Sequence, residues 1–397
     1  MFERRGVAVH QNLVLTEPVA ARAFCRGDLA MVYCPACGFA WNRLFDPSKI
    51  DYSGRYDNRQ EYSGCFEQHL GQRAQRVMAA LGTPSAHIVE VGCGKGAFIE
   101  RLLGMATGWT GTGVDSSYLG APVGLGGRLR FRRQHFDGGN LAGSTPIDAL
   151  VARHVIEHIP DPAQFLSDLR AAIAPGTRLF LETPDLGWIL ARQVPFDFFY
   201  EHCSLFTAHA LRTLLERCGF QVQRVDAVFG DQYLWIEAEA TGVFDPWHAE
   251  RGVEDARGDA VAGLLDFVPY AAGFQDRFDA ILRHWQLRLP ALAARGPVVI
   301  WGAGAKGATL AEWIDPTHRF LAAAVDLNPN KQGRYLAGSG LAVIAPAQLC
   351  RLGPAAVFLP NPNYRGEIQV ELARLGLEPV LLDPLLIDAP LALRPAS

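Results

Sequence analysis

The sequence of 397 residues predicts an α/β chain in three parts. Three observations predict it. Between residues 66 and 240, short apolar runs alternate with amphipathic stretches of helix length, the pattern of a parallel sheet covered by helices on both faces. Two of the apolar runs lead straight into glycine-rich turns, Gly92-Cys-Gly94-Lys-Gly96 and Gly302-Ala-Gly304-Ala-Lys-Gly307. The first 65 residues show neither pattern and carry a close cysteine pair, Cys34-Pro-Ala-Cys37. The expected divisions are 1–65, 66–240 and 250–397.

Composition sets the outer limits. Apolar residues make up 49% and charged residues 20% of the chain, enough for several buried cores. The net charge of −4 gives no electrostatic reason to expect nucleic acid or an anionic membrane as partner. The start, Met1-Phe-Glu-Arg-Arg5, lacks a following apolar core, so no secretory leader is expected. No apolar run is long enough to span a bilayer. Eight thinly spread cysteines fit reduced thiols and a cytoplasmic location.

In the first part, Cys34 and Cys37 read as half of a zinc knuckle, with Cys25 and His10 as the available complements. A tetrahedral site wants four ligands. The spacing leaves zinc open against a turn whose thiols simply pack. Gln60 and Ser63 precede the next helix; their segment reads as a lid that touches a ligand or, more plainly, as a solvated loop.

The second part begins with a helix over His69–Leu81, stopped by Gly82 and Pro84. Then come a strand at 87–91, a helix at 97–103, and strands at 111–114 and 147–151. A helix at 162–174 and a strand at 178–182 follow. Glycines let the first turn bend tightly and let a ligand approach the backbone. Glu90 precedes the turn, and Asp115 closes the next strand about 20 residues on, where a carboxylate accepts hydrogen bonds from both ribose hydroxyls. This reads as a nucleoside site. Glu-x-Gly-x-Gly-x-Gly followed by that aspartate resembles the first two motifs of class I S-adenosylmethionine (SAM) methyltransferases. A dinucleotide turn for NAD is the alternative. Asp137, after a strand at 130–134, is placed to reach an adenine amino group. Glu90, Gly92, Gly94, Gly96, Asp115, Ser116, Asp137, Arg153 and Gln60 are the expected cofactor contacts.

Two later stretches carry ionisable groups. Arg153-His-Val-Ile-Glu-His158-Ile-Pro-Asp-Pro162 follows the fourth strand, at the ligand edge of such a sheet. Phe196-Asp-Phe-Phe-Tyr200-Glu201-His202 sets a Glu-His pair among aromatics, just before a helix capped by Thr207 and ended by Gly219. Ionisable groups in apolar surroundings have shifted pKa values and often do acid–base work. A structural histidine and a surface helix cap are the plainer alternatives.

Taken together, the glycine loop, the H-x-x-E-H-x-P-D-P segment and Tyr-Glu-His before a Phe-Thr helix start resemble the three-domain sugar C-methyltransferases. That family acts on nucleoside-diphosphate ketosugars of deoxysugar biosynthesis. The resemblance covers nearly the whole chain. It implies a central class I methyltransferase (Rossmann-like) sheet, a small N-terminal zinc-knuckle-like module and a C-terminal Rossmann-like α/β domain. It implies SAM as cofactor, His202 as base, Glu201 as its partner or a substrate ligand, and His158 near the reacting carbonyl. Tyr200 is a further candidate to stabilise the enolate. The chain departs from the family pattern twice: the first zinc pair is missing, and Phe199 stands where the family has tyrosine, with Tyr200 one step later.

In the third part, helical sequence over 251–295 leads to strand 297–301 and the second turn. Asp326 lies about 20 residues beyond it, which completes a dinucleotide fingerprint. Lys306 inside the turn points instead to a diphosphate, held by backbone N–H groups and an ammonium. Asn361 and Tyr364 follow a strand at 355–359, again at the binding edge. By the resemblance this domain holds the nucleotide half of the substrate through Lys306, Gly304, Asp326, Asn361 and Tyr364. A degenerate Rossmann domain that binds no ligand is the plainer alternative for this part. An O- or N-methyltransferase, an NAD-dependent oxidoreductase using the second turn, and a non-catalytic SAM- or sugar-nucleotide-binding partner are the other readings the residues allow.

Overall fold

The computed structural model describes residues 1–52, 59–136, 145–242 and 267–387. Asp137 and residues 251–266 of the expected helical connector lie outside the described residues. The α/β expectation holds for both larger parts. The central sheet has eight strands in the order 220–228, 233–240, 178–184, 149–153, 87–91, 110–114, 129–132, 123–124. Its five middle strands run parallel, and antiparallel partners close both edges. Strand His87–Val91 is the first in sequence of the parallel set and sits in the middle, so the chain reverses its winding there. Ligands bind outside the strand ends at such a reversal.

The helix Gly64–Leu81 starts at Ser63, whose hydroxyl accepts from Phe66 N, and stops at Gly82 in the left-handed region. Its buried face carries Phe66, Leu70, Ala74 and Val77 at helical spacing. Ala97–Met105 buries Phe98, Ile99, Leu102 and Leu103 against the same side of the sheet. Thr207 caps Ala208–Arg217 by accepting from Ala210 N, as the sequence predicts.

The C-terminal sheet is entirely parallel, ordered 343–344, 321–325, 298–301, 356–358, 380–382. Strand Val298–Trp301 is central and feeds the second glycine turn and the helix Ala305–Ile314. Among the described residues no helix is long and apolar enough to cross a membrane.

The first 65 residues are less separate than their composition suggests. Strands Phe2–Ala8, Arg26–Tyr33 and Phe39–Asn42 form an antiparallel sheet whose fourth strand is Ser204–Phe206, from the middle of the chain. Val14–Leu15 pairs with Tyr335–Leu336 of the C-terminal part. One buried apolar cluster runs through Phe2, Leu29, Ile189, Phe198, Phe278, Trp285, Trp313 and Phe358. The boundary at 65 therefore marks a change of pattern in the sequence but no break in the packing.

Candidate functional site

The first glycine turn is shaped for a ligand. Gly92, Gly94 and Gly96 have φ of +70°, +57° and +90°, which side-chain-bearing residues rarely adopt. A Cβ at Gly92 would lie 2.2 Å from Val155 Cγ2, and one at Gly96 2.6 Å from Phe131 Cζ. Asp115 closes the neighbouring strand. One carboxylate oxygen accepts from Gly94 N and the other from Ser117 N, each at 2.7 Å. A carboxylate has four lone pairs, so two remain for ribose hydroxyls. Such a backbone cradle beside an acidic strand end fits an adenosyl group.

Glu90 has a structural partner beside the turn. It is buried, and Oε2 accepts from Ile99 N at 3.2 Å, tying the strand to the helix after the turn. Burial pushes its carboxyl up to about 7, against the pull of Arg153 and the Ile99 N–H. Arg153 donates to Glu182 Oε2 at 2.6 Å and lies 4.7 Å from the Phe98 ring centre. His69 takes the other Glu182 oxygen. Arg153 thus stiffens the wall below the turn. Ser116 stands beside Asp115, and its carbonyl accepts from Arg133 at 3.4 Å.

Three imidazoles and one carboxylate gather past the end of the fourth strand. Glu157 is fully buried. Its Oε1 lies 3.1 Å from His154 Nδ1, and its Oε2 accepts from Thr183 Oγ1 at 3.0 Å. Burial works against its charge, but the His154 hydrogen bond and the nearby imidazoles outweigh that and hold the carboxyl at about 2. His158 Nδ1 is 3.0 Å from the Glu201 carbonyl and 2.8 Å from the Tyr52 hydroxyl. A carbonyl only accepts, so Nδ1 carries the proton in neutral His158. The His158 and His202 rings meet edge-on with centres 4.8 Å apart, and Phe199 packs against His202 at 4.7 Å. Burial, and then His158, push His202 down to about 3 despite the attraction of Glu157 and Glu201. His202 is therefore uncharged at neutral pH. His158 and His202 both line one cavity.

A cavity of about 230 Å³ joins this cluster to the C-terminal domain. His154, His158, His202 and Phe199 line one side; Gly304, Lys306, Asp326 and Tyr364 line the other. Asp326 repeats the geometry of Asp115, accepting from Ala303 N at 2.7 Å and Asn328 N at 2.8 Å. Gly307 is required there, since a Cβ would lie 1.9 Å from the Gly302 carbonyl oxygen. Tyr364 donates to Gln60 Oε1 at 2.9 Å, so Gln60 reaches the C-terminal side of the cavity rather than the first turn. Asn361 Oδ1 accepts from Gln232 Nε2 at 2.9 Å and lines the same wall.

Several sequence expectations change. Tyr200 is fully buried away from the cavity, its hydroxyl accepting from Asp46 N at 2.9 Å. It packs so closely over Gly27 that a Cβ there would lie 2.1 Å from the ring. Tyr200 therefore cannot stabilise an enolate. The Glu201 carboxylate also faces the N-terminal sheet, 3.2 Å from His10 Nδ1 and accepting from Gln11 N at 3.1 Å. Its carbonyl, not its side chain, serves the site. Lys306 is not a bare phosphate ligand: it donates to Asp197 Oδ2 at 2.8 Å and Gln232 Oε1 at 3.1 Å. Among the described residues, the cluster of three or more metal-ligating side chains is Glu157, His158 and His202; Cys25, Cys34, Cys37 and His10 do not form one. His10 is turned to Glu201 instead.

His154 and Glu157, read in the sequence only as letters of the H-x-x-E-H segment, and Asp197 belong to the site although none was given a role there. For the first two the signal was present, since histidine and glutamate three apart in a turn face each other. Asp197 meets its partner 109 positions away, which no local pattern signals.

Similarity to known proteins agrees with this geometry. Residues 66–225 match a family described as a methyltransferase domain, and residues 248–376 match the C-methyltransferase C-terminal domain. C-methyltransferase NovU of Streptomyces niveus is 26% identical over 86% of this chain and 81% of its own length. A probable S-adenosylmethionine-dependent methyltransferase of Mycolicibacterium smegmatis is 30% identical over 43% of this chain and 66% of its own. The glycine cradle beside Asp115, the central sheet order and both family matches lead to one conclusion: the chain is a class I SAM-dependent methyltransferase, related to the C-methyltransferase and O-methyltransferase families.

Proposed function

We propose that the chain methylates a carbon next to a ketone on a nucleoside-diphosphate-linked sugar. The observation that carries this reading is the single cavity spanning His158 and His202 on one side and the second glycine turn with Asp326 on the other. A ligand with a reactive ring at one end and a nucleotide at the other matches that span. The resemblance to a C-methyltransferase over most of both chains supports it.

SAM supplies an electrophilic methyl group on a sulfonium. A carbon acceptor must first lose a proton, and the charge on the adjoining oxygen must be stabilised. His202 is the proton acceptor in this reading, because burial keeps it neutral at the pH of reaction. His158, fixed by the Glu201 carbonyl, presents its other nitrogen toward the reacting group. Asp115 and the first turn hold the adenosyl end. The start of the helix Ala305–Ile314 and Asp326 hold the substrate nucleotide. Holding both reactants in line supplies a large part of the rate.

Incubation with SAM and a panel of nucleoside-diphosphate ketosugars tests this. The expected product gains one methyl group, on carbon by NMR, and loses one exchangeable C–H. A methyl group on oxygen or nitrogen would replace the carbon reading with O- or N-methylation. Bound nicotinamide in the purified protein, with no methyl transfer, would favour an oxidoreductase at the second turn.

A further inference from the structure

His154 stands out in the backbone. It has φ of +53°, a conformation that costs a non-glycine residue energy and that persists where surroundings impose it, often at functional sites. Two contacts impose it: its N–H donates to the Glu182 carbonyl at 2.8 Å, and its Nδ1 lies 3.1 Å from Glu157 Oε1. Glu157 is ionised and accepts, so Nδ1 carries a proton. The ring stands edge-on to Tyr233, with centres 4.5 Å apart. Its Nε2 is buried and has no hydrogen-bond partner among the described residues, although His154 lines the cavity beside His158 and His202. A buried polar atom of this kind is costly unless something else pairs with it.

From these observations we infer that His154, oriented by Glu157, is a further catalytic residue whose Nε2 exchanges a proton with the carbonyl oxygen of the substrate. This rests on the carbon-methylation reading. His202 takes the proton from carbon; the C–H electron pair becomes the new C=C bond, and the carbonyl π pair moves to oxygen. His154, in its doubly protonated form, gives its Nε2 proton to that oxygen. As the enol carbon bonds to the methyl group, the C–S pair stays on sulfur and the O–H proton returns to His154 Nε2. The carboxylate of Glu157 compensates the imidazolium before the Nε2 proton leaves and after it returns, as a buried carboxylate does behind other catalytic histidines. His158 is less suited, because its Nδ1 meets a neutral carbonyl rather than an anion. The titratable groups around His154 are Glu157, Glu182, His202 and Tyr233.

Glu157, His158 and His202 also offer ligand atoms within 4.8 Å of one another, a spacing that a divalent cation could draw together. Both Glu157 oxygens are already engaged, by His154 and Thr183, which favours the proton-transfer role.

The test uses the full chain with His154→Asn and Glu157→Gln variants. Wild type is first assayed for solvent deuterium exchange at the ketosugar carbon; if no ketosugar exchanges or is methylated, the carbon reading itself fails. Where wild type turns over, His154→Asn should lose about 100-fold or more in both exchange and methyl transfer while binding SAM within threefold of wild type. Exchange within threefold of wild type in that variant overturns the proposal. Nitrogen-15 NMR of the wild-type histidines, with His154→Asn to assign the signal, gives a reading independent of turnover and of variant folding. At the pH of turnover both ring nitrogens of His154 should carry protons, and an unprotonated Nε2 overturns the proposal. Zinc titration in a Cys34→Ser/Cys37→Ser background supplies the last arm: one equivalent bound, and lost with Glu157→Gln, would make the cluster a metal centre instead.

Discussion

His202 is held neutral inside the protein, and that makes acid a specific threat to the site. Its pKa falls from 6.5 to about 3 through burial and the neighbouring His158. A histidine whose folded pKa is depressed binds its proton more readily in the unfolded chain. Stability therefore rises with pH between about 3 and 6.5, and is lost as pH falls through that window. At pH 7.5 neither state is appreciably protonated and the effect is absent. At pH 4.5 the two-unit gap below the unfolded value corresponds to about 3 kcal/mol of lost stability, at roughly 1.4 kcal/mol per unit. Replacing His202 by Gln keeps a polar side chain but removes the titration. The stability gap between wild type and His202→Gln should thus shift by about 3 kcal/mol, in favour of the variant, on going from pH 7.5 to 4.5. Urea unfolding at the two pH values measures the shift, and NMR titration of the His202 ring reads the protonation directly. An equal gap at both pH values, or a ring that titrates above pH 6, would refute the reasoning and remove the argument for a neutral base.

Other substitutions give further checks. Asp115→Asn should weaken SAM binding by about 10- to 100-fold in calorimetry, since charge-assisted bonds to hydroxyls are replaced by weaker ones; an unchanged affinity would move the ribose elsewhere. Lys306→Met leaves the buried Asp197 without its cation and should lower the melting temperature by on the order of 5 °C. Adding Asp197→Asn should recover most of that loss if the pair itself is the cause. Tyr200→Phe removes only the bond from Asp46 N, so methyl transfer should stay within about twofold while stability falls by about 1 kcal/mol. A drop of 100-fold in turnover would return Tyr200 to the reaction.

What the sequence made legible was short-range. Strand, glycine turn, helix and the aspartate after the next strand can be read at 87–115 because each step rests on local geometry, and the same holds at 298–326. Thr207 was readable as a cap for the same reason. Around His202 the reading broke down over one residue. Phe199 and His202 face the cavity, while Tyr200 and Glu201 turn to the N-terminal sheet, because His10, Gln11 and Asp46 are there to receive them. Those partners lie more than 150 positions back, so nothing near Tyr200 announces them. Lys306 shows the same effect: an ammonium in a phosphate-type turn looks available until the fold brings Asp197 beside it. Cys34 and Cys37 kept the look of a zinc half-site, but His10 is committed to Glu201.

The Ser204–Phe206 ribbon has a consequence for how the molecule is made. During synthesis the front of the chain leaves the ribosome with the Phe39–Asn42 edge bare, because the segment that covers it has yet to be translated. An uncovered edge invites pairing with other chains. In the finished chain Ser204–Phe206 covers that edge and follows His202 directly, so the strand that completes the front sheet also fixes the imidazole that packs against His158.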